Sequence, residues 1–165
     1  MIERLLKTAA LAVALAGCEA KEAAPPADAA NQTETAAPAD EPPLAKAASD
    51  PGLQWGPCPE PFPAGCEIAV LHGDPAKPNA DIFLRVPSGT AIPAHSHTSP
   101  ERMILASGSL RVKYQGHPEA TLETGSYAYG PAGLPHQATC AAGAACTLFV
   151  AFEGPVDMQP FSGAM

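Results

Sequence analysis

Short apolar or alternating runs, separated by Gly and Pro turns, occupy residues 67–152 and limit what this chain can fold into. The runs are 67–71, 81–86, 91–95, 101–106, 109–114, 120–122, 126–129, 136–140 and 147–152. None has a convincing helical period, and 20 prolines and 14 glycines in 165 residues disfavour long helices. Eight or nine short strands at regular spacing predict an all-β sandwich or barrel. Five prolines between Pro51 and Pro63 predict an irregular segment there, with Trp55 and Phe62 packed against the barrel.

The charge of the chain argues against a nucleic-acid partner. Nine Lys and Arg stand against 17 Asp and Glu, which gives a formal net charge of −8. No basic patch is available to neutralise phosphates. Residues 51–165 carry nine acids against five bases, so their mild acidity says little about other partners.

The first residues have the features of an export signal. Arg4 and Lys7 precede an apolar run from Thr8 to Ala16, which is too short to span a membrane as a helix. The run ends in Leu-Ala-Gly before Cys18, and this order resembles the bacterial lipoprotein signal. The resemblance implies a signal peptide over 1–17, cleavage before Cys18, and a lipid anchor on that cysteine as the membrane contact. Glu19, by the same resemblance, implies the periplasmic face of the outer membrane. The alternative is an ordinary secretory signal in which Cys18 is incidental.

Residues 18–50 have the composition of a linker. Of the 32 residues from 19 to 50, twelve are Ala and five are Pro, none is aromatic, and Leu44 is the only large aliphatic. Such a segment cannot bury enough apolar surface to offset its chain entropy. The prediction is therefore a disordered linker over 18–50 that precedes one folded domain over 51–165.

The remaining four cysteines support export. An even number in an oxidising compartment favours two disulfides, and three pairings are open. The local pairs Cys58–Cys66 and Cys140–Cys146 are favoured because each closes a short loop containing Pro or Gly. A redox couple or a thiolate metal site is the alternative, but neither pair has two-residue spacing.

Three histidines and one glutamate form a candidate metal-binding site. His95 and His97 are two residues apart, so on a strand both rings project from one face. Glu101 follows four residues later, and His136 lies further along the chain. Neutral imidazoles with one carboxylate suit a divalent metal such as iron, manganese or zinc. From spacing alone, surface histidines near a turn are an equal alternative.

A wider motif favours the metal site. Gly89, His95, His97, Glu101 and Gly108 are separated by five, one, three and six residues, which matches the first cupin motif. The second cupin motif is similar to Gly125, Pro131, Gly133 and His136, separated by five, one and two residues. This resemblance identifies residues 51–165 as a small bacterial cupin. It implies a jelly-roll barrel in which His95, His97, Glu101 and His136 bind one metal ion, and cupins are often homodimers. The usual Asn four residues after the last histidine is replaced by Cys140.

Function is less constrained than metal binding. The resemblance to cupin dioxygenases implies an exported metal-dependent dioxygenase or isomerase that acts on a small molecule. The alternative is a non-catalytic binding or sensing cupin with a structural zinc, similar to the zinc cupin halves of some bacterial anti-sigma factors. Met103 shares the strand parity of Glu101 and is a candidate pocket residue, as are Tyr127 and Tyr129. Arg85 and Arg102 are the strand cations expected near an anionic substrate.

Overall fold

A computed structural model of the protein describes residues 41–165, and this part consists of β-strands joined by turns. The strands are β1 Trp55–Pro57, β2 Glu67–His72, β3 Asp81–Val86, β4 Ala91–Ser96, β5 Glu101–Ser107, β6 Ser109–Tyr114, β7 Ala120–Glu123, β8 Tyr127–Gly130, β9 His136–Cys140, β10 Cys146–Phe152 and β11 Gln159–Pro160. They form two antiparallel sheets. The strand order is β1-β2-β3-β10-β5-β8 in one sheet and β11-β4-β9-β6-β7 in the other. This is the cupin-like jelly roll that the motifs imply.

The alternation of side chains along the strands explains the two-sheet arrangement. In β5, Met103 and Leu105 are buried, whereas Ile104 between them is 42% exposed. In β6, Leu110 and Val112 are buried on either side of the exposed Arg111. Because successive side chains on a strand point to opposite faces, each sheet has one apolar face, and the two apolar faces enclose the core.

All nine predicted strands are confirmed, with ends that shift by at most one residue. Two short strands were missed. Trp55–Pro57 pairs with β2 inside the segment expected to be irregular, and Gln159–Pro160 pairs with β4. Both lie at sheet edges and contain proline, which cannot donate a ladder hydrogen bond and obscures a strand pattern. Phe62 packs against the core as expected, but Trp55 lies beneath Arg85, whose guanidinium carbon is 3.7 Å from the ring centroid.

Both disulfides join the local pairs favoured from the sequence, Cys58–Cys66 and Cys140–Cys146. Cys140 and Cys146 are fully buried, so the departure from the second cupin motif lies inside the core. Beside this bridge, Gly108 has a φ of +87°, and an added Cβ would lie 2.9 Å from the carbonyl oxygen of Ala145. Gly108, the second glycine of the first motif, is therefore required both by its backbone conformation and by the close approach of β10.

The amino-terminal predictions fall largely outside the described residues. Residues 1–40 lie outside the part of the chain that the structure describes. They include the predicted signal over 1–17, the predicted anchor at Cys18 and the predicted linker as far as residue 40. Residues 43–165 form one compact unit, which includes the last residues of the predicted linker. Within residues 41–165, no helix is long and apolar enough to cross a bilayer.

Candidate metal centre

Three strands and the loop between β4 and β5 bring the four predicted ligands together. His95 on β4 lies directly opposite His136 on β9. His97 follows the end of β4, and Glu101 is the first residue of β5. All four side chains are buried, with 3–6% of each residue exposed.

The three imidazoles surround a common point. Their ring centroids are 4.2 Å apart for His95 and His136, 4.9 Å for His95 and His97, and 5.3 Å for His97 and His136. One nitrogen from each ring lies within 4.8 Å of the nitrogens of the other two. This buried cluster could hold a metal ion.

Backbone carbonyls fix the orientation of all three rings. The Nδ1 atom of His95 lies 2.7 Å from the Pro93 oxygen, and that of His136 lies 3.3 Å from the Leu134 oxygen. The Nδ1 atom of His97 contacts the Asp157 carbonyl oxygen. A carbonyl can only accept, so each Nδ1 carries the proton and each Nε2 keeps a free lone pair. Histidines that bind metals are oriented in this manner.

Glu101 completes the set. Its Oε1 atom lies 3.1 Å from Nε2 of His136, and Oε2 lies 3.4 Å from Nε2 of His97. Ligands about 2.1 Å from one ion are separated by about 3.0–3.4 Å. Although His136 is close, Oε1 is buried and accepts no hydrogen bond of suitable geometry. A buried carboxylate oxygen without a donor is costly unless a cation satisfies it, so the four residues fit a divalent metal.

Burial shapes the protonation of the cluster. Burial, with a smaller effect from the neighbouring His136, lowers the pKa of His95 to about 4. Burial by itself would raise the pKa of Glu101, but the proximity of His136, His97 and His95 outweighs it and leaves the pKa below its usual value. Near neutral pH the site therefore presents a neutral His95 and an ionised carboxylate, the forms that bind metals.

Comparison with known families supports the same interpretation. Residues 50–157 match the family described as the ChrR cupin-like domain. The chain belongs to this cupin family. A buried histidine triad of the kind described above is typical of cupins. No curated protein matches the chain at a significant level.

Solved structures share the cupin fold at low sequence identity. The polyketide cyclase RemF from Streptomyces resistomycificus is similar over 73% of this chain and 88% of its own, with 19% identity and a TM-score of 0.59. The DMSP lyase DddQ from Ruegeria pomeroyi is similar over 64% of this chain and 58% of its own, with 23% identity and a TM-score of 0.54. The complex of Rhodobacter sphaeroides SigE with the anti-sigma ChrR matches over 64% and 52%, with 20% identity and a TM-score of 0.50.

Several of these proteins are longer than the matched region. The cupin spans 61% of a Schizosaccharomyces pombe Cnp3 cupin-domain chain and about half of the chain matched in the SigE–ChrR complex. At these identities the likenesses establish the fold and not a shared activity.

A cavity of about 210 Å³ adjoins the four predicted ligand residues of the cupin. Met103 lines it together with His95, His97, Glu101 and His136. The parity of Met103 with Glu101 along β5 thus placed this residue correctly.

Tyr127 and Tyr129 do not line the cavity, and their prediction as pocket residues is wrong. They are 58% and 47% exposed on the outer face of the sheet. The residues that face inward from β8 are Ala128 and Gly130, opposite Met103 and Glu101 of β5. Because the large side chains of β5 fill the space there, β8 contributes its small residues to the interior.

The two predicted strand cations also lie outside the cavity. Arg85 stacks on Trp55 and lies 3.3 Å from a Glu67 carboxylate oxygen. Arg102 pairs with Glu153. Neither arginine lines the cavity, so neither is placed to hold a substrate there.

Two residues near the site were missed. Tyr114 lies opposite His136 in the β6–β9 ladder, with ring centroids 5.2 Å apart, and its buried hydroxyl has no hydrogen-bond partner. Burial and the Glu101 carboxylate raise the pKa of Tyr114 above its usual value, so the hydroxyl stays protonated. The inward parity of Tyr114 with Val112 was a usable signal. Asp157, whose carbonyl oxygen contacts His97, lies 60 residues away in sequence, and no sequence pattern indicated this contact.

Proposed function

We propose that this cupin binds one divalent metal ion through His95, His97, His136 and Glu101 and acts with it on a small molecule. The reaction class is that of a metal-dependent dioxygenase or isomerase. The observation that carries the proposal is the buried, unbonded Oε1 of Glu101, which faces imidazole nitrogens beside a cavity of about 210 Å³. A purely structural carboxylate would be expected to accept a donor from the protein.

The charge of the site supports a role in ligand binding. Three neutral imidazoles and one carboxylate leave a +2 ion with a net charge of +1, which favours one anionic donor from a ligand. Four protein ligands leave two positions on a six-coordinate ion, whose Lewis acidity or redox chemistry would drive the reaction. The chain's own contribution is to orient the three rings through backbone carbonyls and to exclude bulk water with the apolar cavity wall.

A non-catalytic role is the second candidate. Four ligands are also sufficient for a closed tetrahedral zinc site. The family takes its description from ChrR, and one similar structure contains that anti-sigma protein in complex with SigE. In this alternative the metal stabilises the fold or a sensing state, and no ligand position is open.

Metal analysis and X-ray absorption on the full chain, as isolated from the periplasm, separate the two candidates. Catalysis predicts five or six short ligands including a water, and oxygen uptake or ligand conversion by the iron-loaded protein. Four short ligands without water, together with no turnover of any tested chelating substrate, would instead support structural zinc. A protein that binds no divalent metal would contradict both.

We infer further that the cupin is held at the cell envelope by lipid on Cys18, on the periplasmic side of the outer membrane. The support is the Leu-Ala-Gly-Cys order in the sequence and the presence of two disulfides, which persist in an oxidising compartment. The test is detergent phase partition and fractionation of the native chain and of Cys18→Ala. The native chain is expected in the detergent phase with outer-membrane fractions, and a detergent-phase Cys18→Ala variant would refute the anchor.

A further inference from the structure

The wall of the cavity is apolar on both sides. One sheet contributes Ile82, Leu84 and Leu148, and the other contributes Ile92, Leu110 and Val112. These side chains offer no hydrogen-bonding group. The body of a bound small molecule, meaning the part other than its metal-binding head, therefore gains free energy from burial against them only if it is itself apolar.

The polar side chains of the lining are few and none is a cation. Apart from the four ligand residues, only Glu60 and Asp157 among the lining residues carry charge, and both are acids. Glu60 is exposed and Asp157 is partly buried. A second anionic group on a ligand would therefore meet apolar surface or like charge, and no lining residue could neutralise it.

The cavity volume sets the size of the ligand body. An engineered apolar cavity of about 150 Å³ accepts benzene. The cavity here has a volume of about 210 Å³. The additional volume is too small for a second ring of the same size. A single ring or a branched aliphatic group of similar size fits the space.

We propose that the site selects small molecules with one metal-binding head and an uncharged apolar body of about one ring, and that it excludes molecules with a second anionic group. The proposal rests on the proposed metal site and specifies its ligand class. None of the lining residues in the described part of the chain is a cation, so the metal would bind the single anionic head while the body occupies the apolar space.

Three hydroxamates with the same metal-binding head test this selectivity on the full chain loaded with Co²⁺. They are benzohydroxamate, 4-carboxybenzohydroxamate and 4-carbamoylbenzohydroxamate, and binding is followed by the visible Co²⁺ spectrum. Benzohydroxamate is expected to bind about tenfold or more tightly than the carboxylate. The carbamoyl compound matches the carboxylate in size without its charge and is expected to bind between the two.

A substitution in the lining tests the role of charge directly. Met158 packs against the core and lines the cavity but is partly exposed, so Met158→Lys places a cation at the cavity. This variant is expected to reduce the preference for benzohydroxamate over the carboxylate by about tenfold, whereas Met158→Leu retains the preference.

The outcomes distinguish this proposal from the metal site on which it rests. If Co²⁺ is bound but benzohydroxamate and the carboxylate bind with equal affinity, the selectivity alone is overturned. The same holds if Co²⁺ is bound and neither compound binds. Equal affinities for the carboxylate and carbamoyl compounds would mean that size and not charge excludes them, which overturns the charge argument. The absence of any bound Co²⁺ overturns the metal site together with the selectivity.

Discussion

Glu101 and Gly130 lie directly opposite each other on β5 and β8, and the glycine provides the space that the carboxylate occupies. A Cβ at position 130 would lie 2.7 Å from Oε1 of Glu101 and 2.8 Å from its Cγ. The backbone of Gly130 is not in the left-handed region, so space and not conformation requires glycine here. The position of the proposed ligand thus depends on a residue that binds nothing itself.

Gly130→Ala is expected to displace Glu101 and to weaken metal binding by roughly 10–100-fold, the range seen when residues that support a ligand are changed. Gly56→Ala is the control, because a Cβ at Gly56 meets nothing within 4 Å. Competition with a metal-sensitive dye measures both affinities. Equal affinities in the two variants would contradict the role of Gly130 in positioning Glu101 for metal binding.

Removal of one imidazole should abolish stoichiometric metal binding. His136→Ala removes the ring that lies between His95 and Glu101, with its centroid 4.2 Å from that of His95. His117→Ala, an exposed histidine outside the cluster, serves as the matched control. Metal content after dialysis should fall well below one equivalent in the first variant and stay near the native value in the second. A His136→Ala variant that retains a full equivalent contradicts the site.

The low pKa of His95 predicts a loss of stability in acid for the metal-free protein. Well above pH 6.5 this residue is neutral in both the folded and the unfolded chain, so its protonation contributes nothing to stability. Between pH 6.5 and about pH 4 the unfolded chain takes up a proton that the folded chain resists, and folding becomes less favourable. By pH 4.5 this costs about 2 kcal/mol.

Urea unfolding at pH 7 and pH 4.5 measures this effect. The drop in the free energy of unfolding should be smaller in His95→Gln, which cannot take up the proton, by about the same 2 kcal/mol. An equal drop in the native chain and the variant would place the acid sensitivity elsewhere.

The Cys140–Cys146 bridge should stabilise the barrel without binding the metal. The double variant Cys140→Ala/Cys146→Ala removes a buried crosslink that closes a six-residue separation, and a loss of about 2–4 kcal/mol is expected. Thermal unfolding and metal content are measured on the same samples. Loss of the metal from a variant that is still folded would make Cys140 a ligand and would contradict its structural role.

Much of the fold and of the site followed from the sequence because the relevant signals are local. The spacing from Gly89 to Gly108 fixes a strand, a turn and a strand, so it brings His95, His97 and Glu101 together without knowledge of distant contacts. The alternation of β5 likewise placed Met103 in the cavity. His136 required the second motif, since its pairing with His95 is a contact between strands far apart in sequence.

The predictions that were wrong or missing concern packing between elements that are distant in sequence. The inward face of β8 consists of Ala128 and Gly130 because Met103 and Glu101 occupy the interior opposite them, and no pattern within 126–129 reveals this. Asp157 contacts His97 from a segment without a strong pattern. The lipid anchor, the outer-membrane location and the homodimer stay predictions.

The central claim is that one divalent ion is bound by three histidines and Glu101, and its most direct test is a crystal structure of the full chain loaded with zinc, with anomalous diffraction at the zinc edge. The account predicts a single anomalous peak about 2.0–2.2 Å from Nε2 of His95, His97 and His136 and from a carboxylate oxygen of Glu101. A peak at another position, or no peak among these four side chains at saturating zinc, would contradict it.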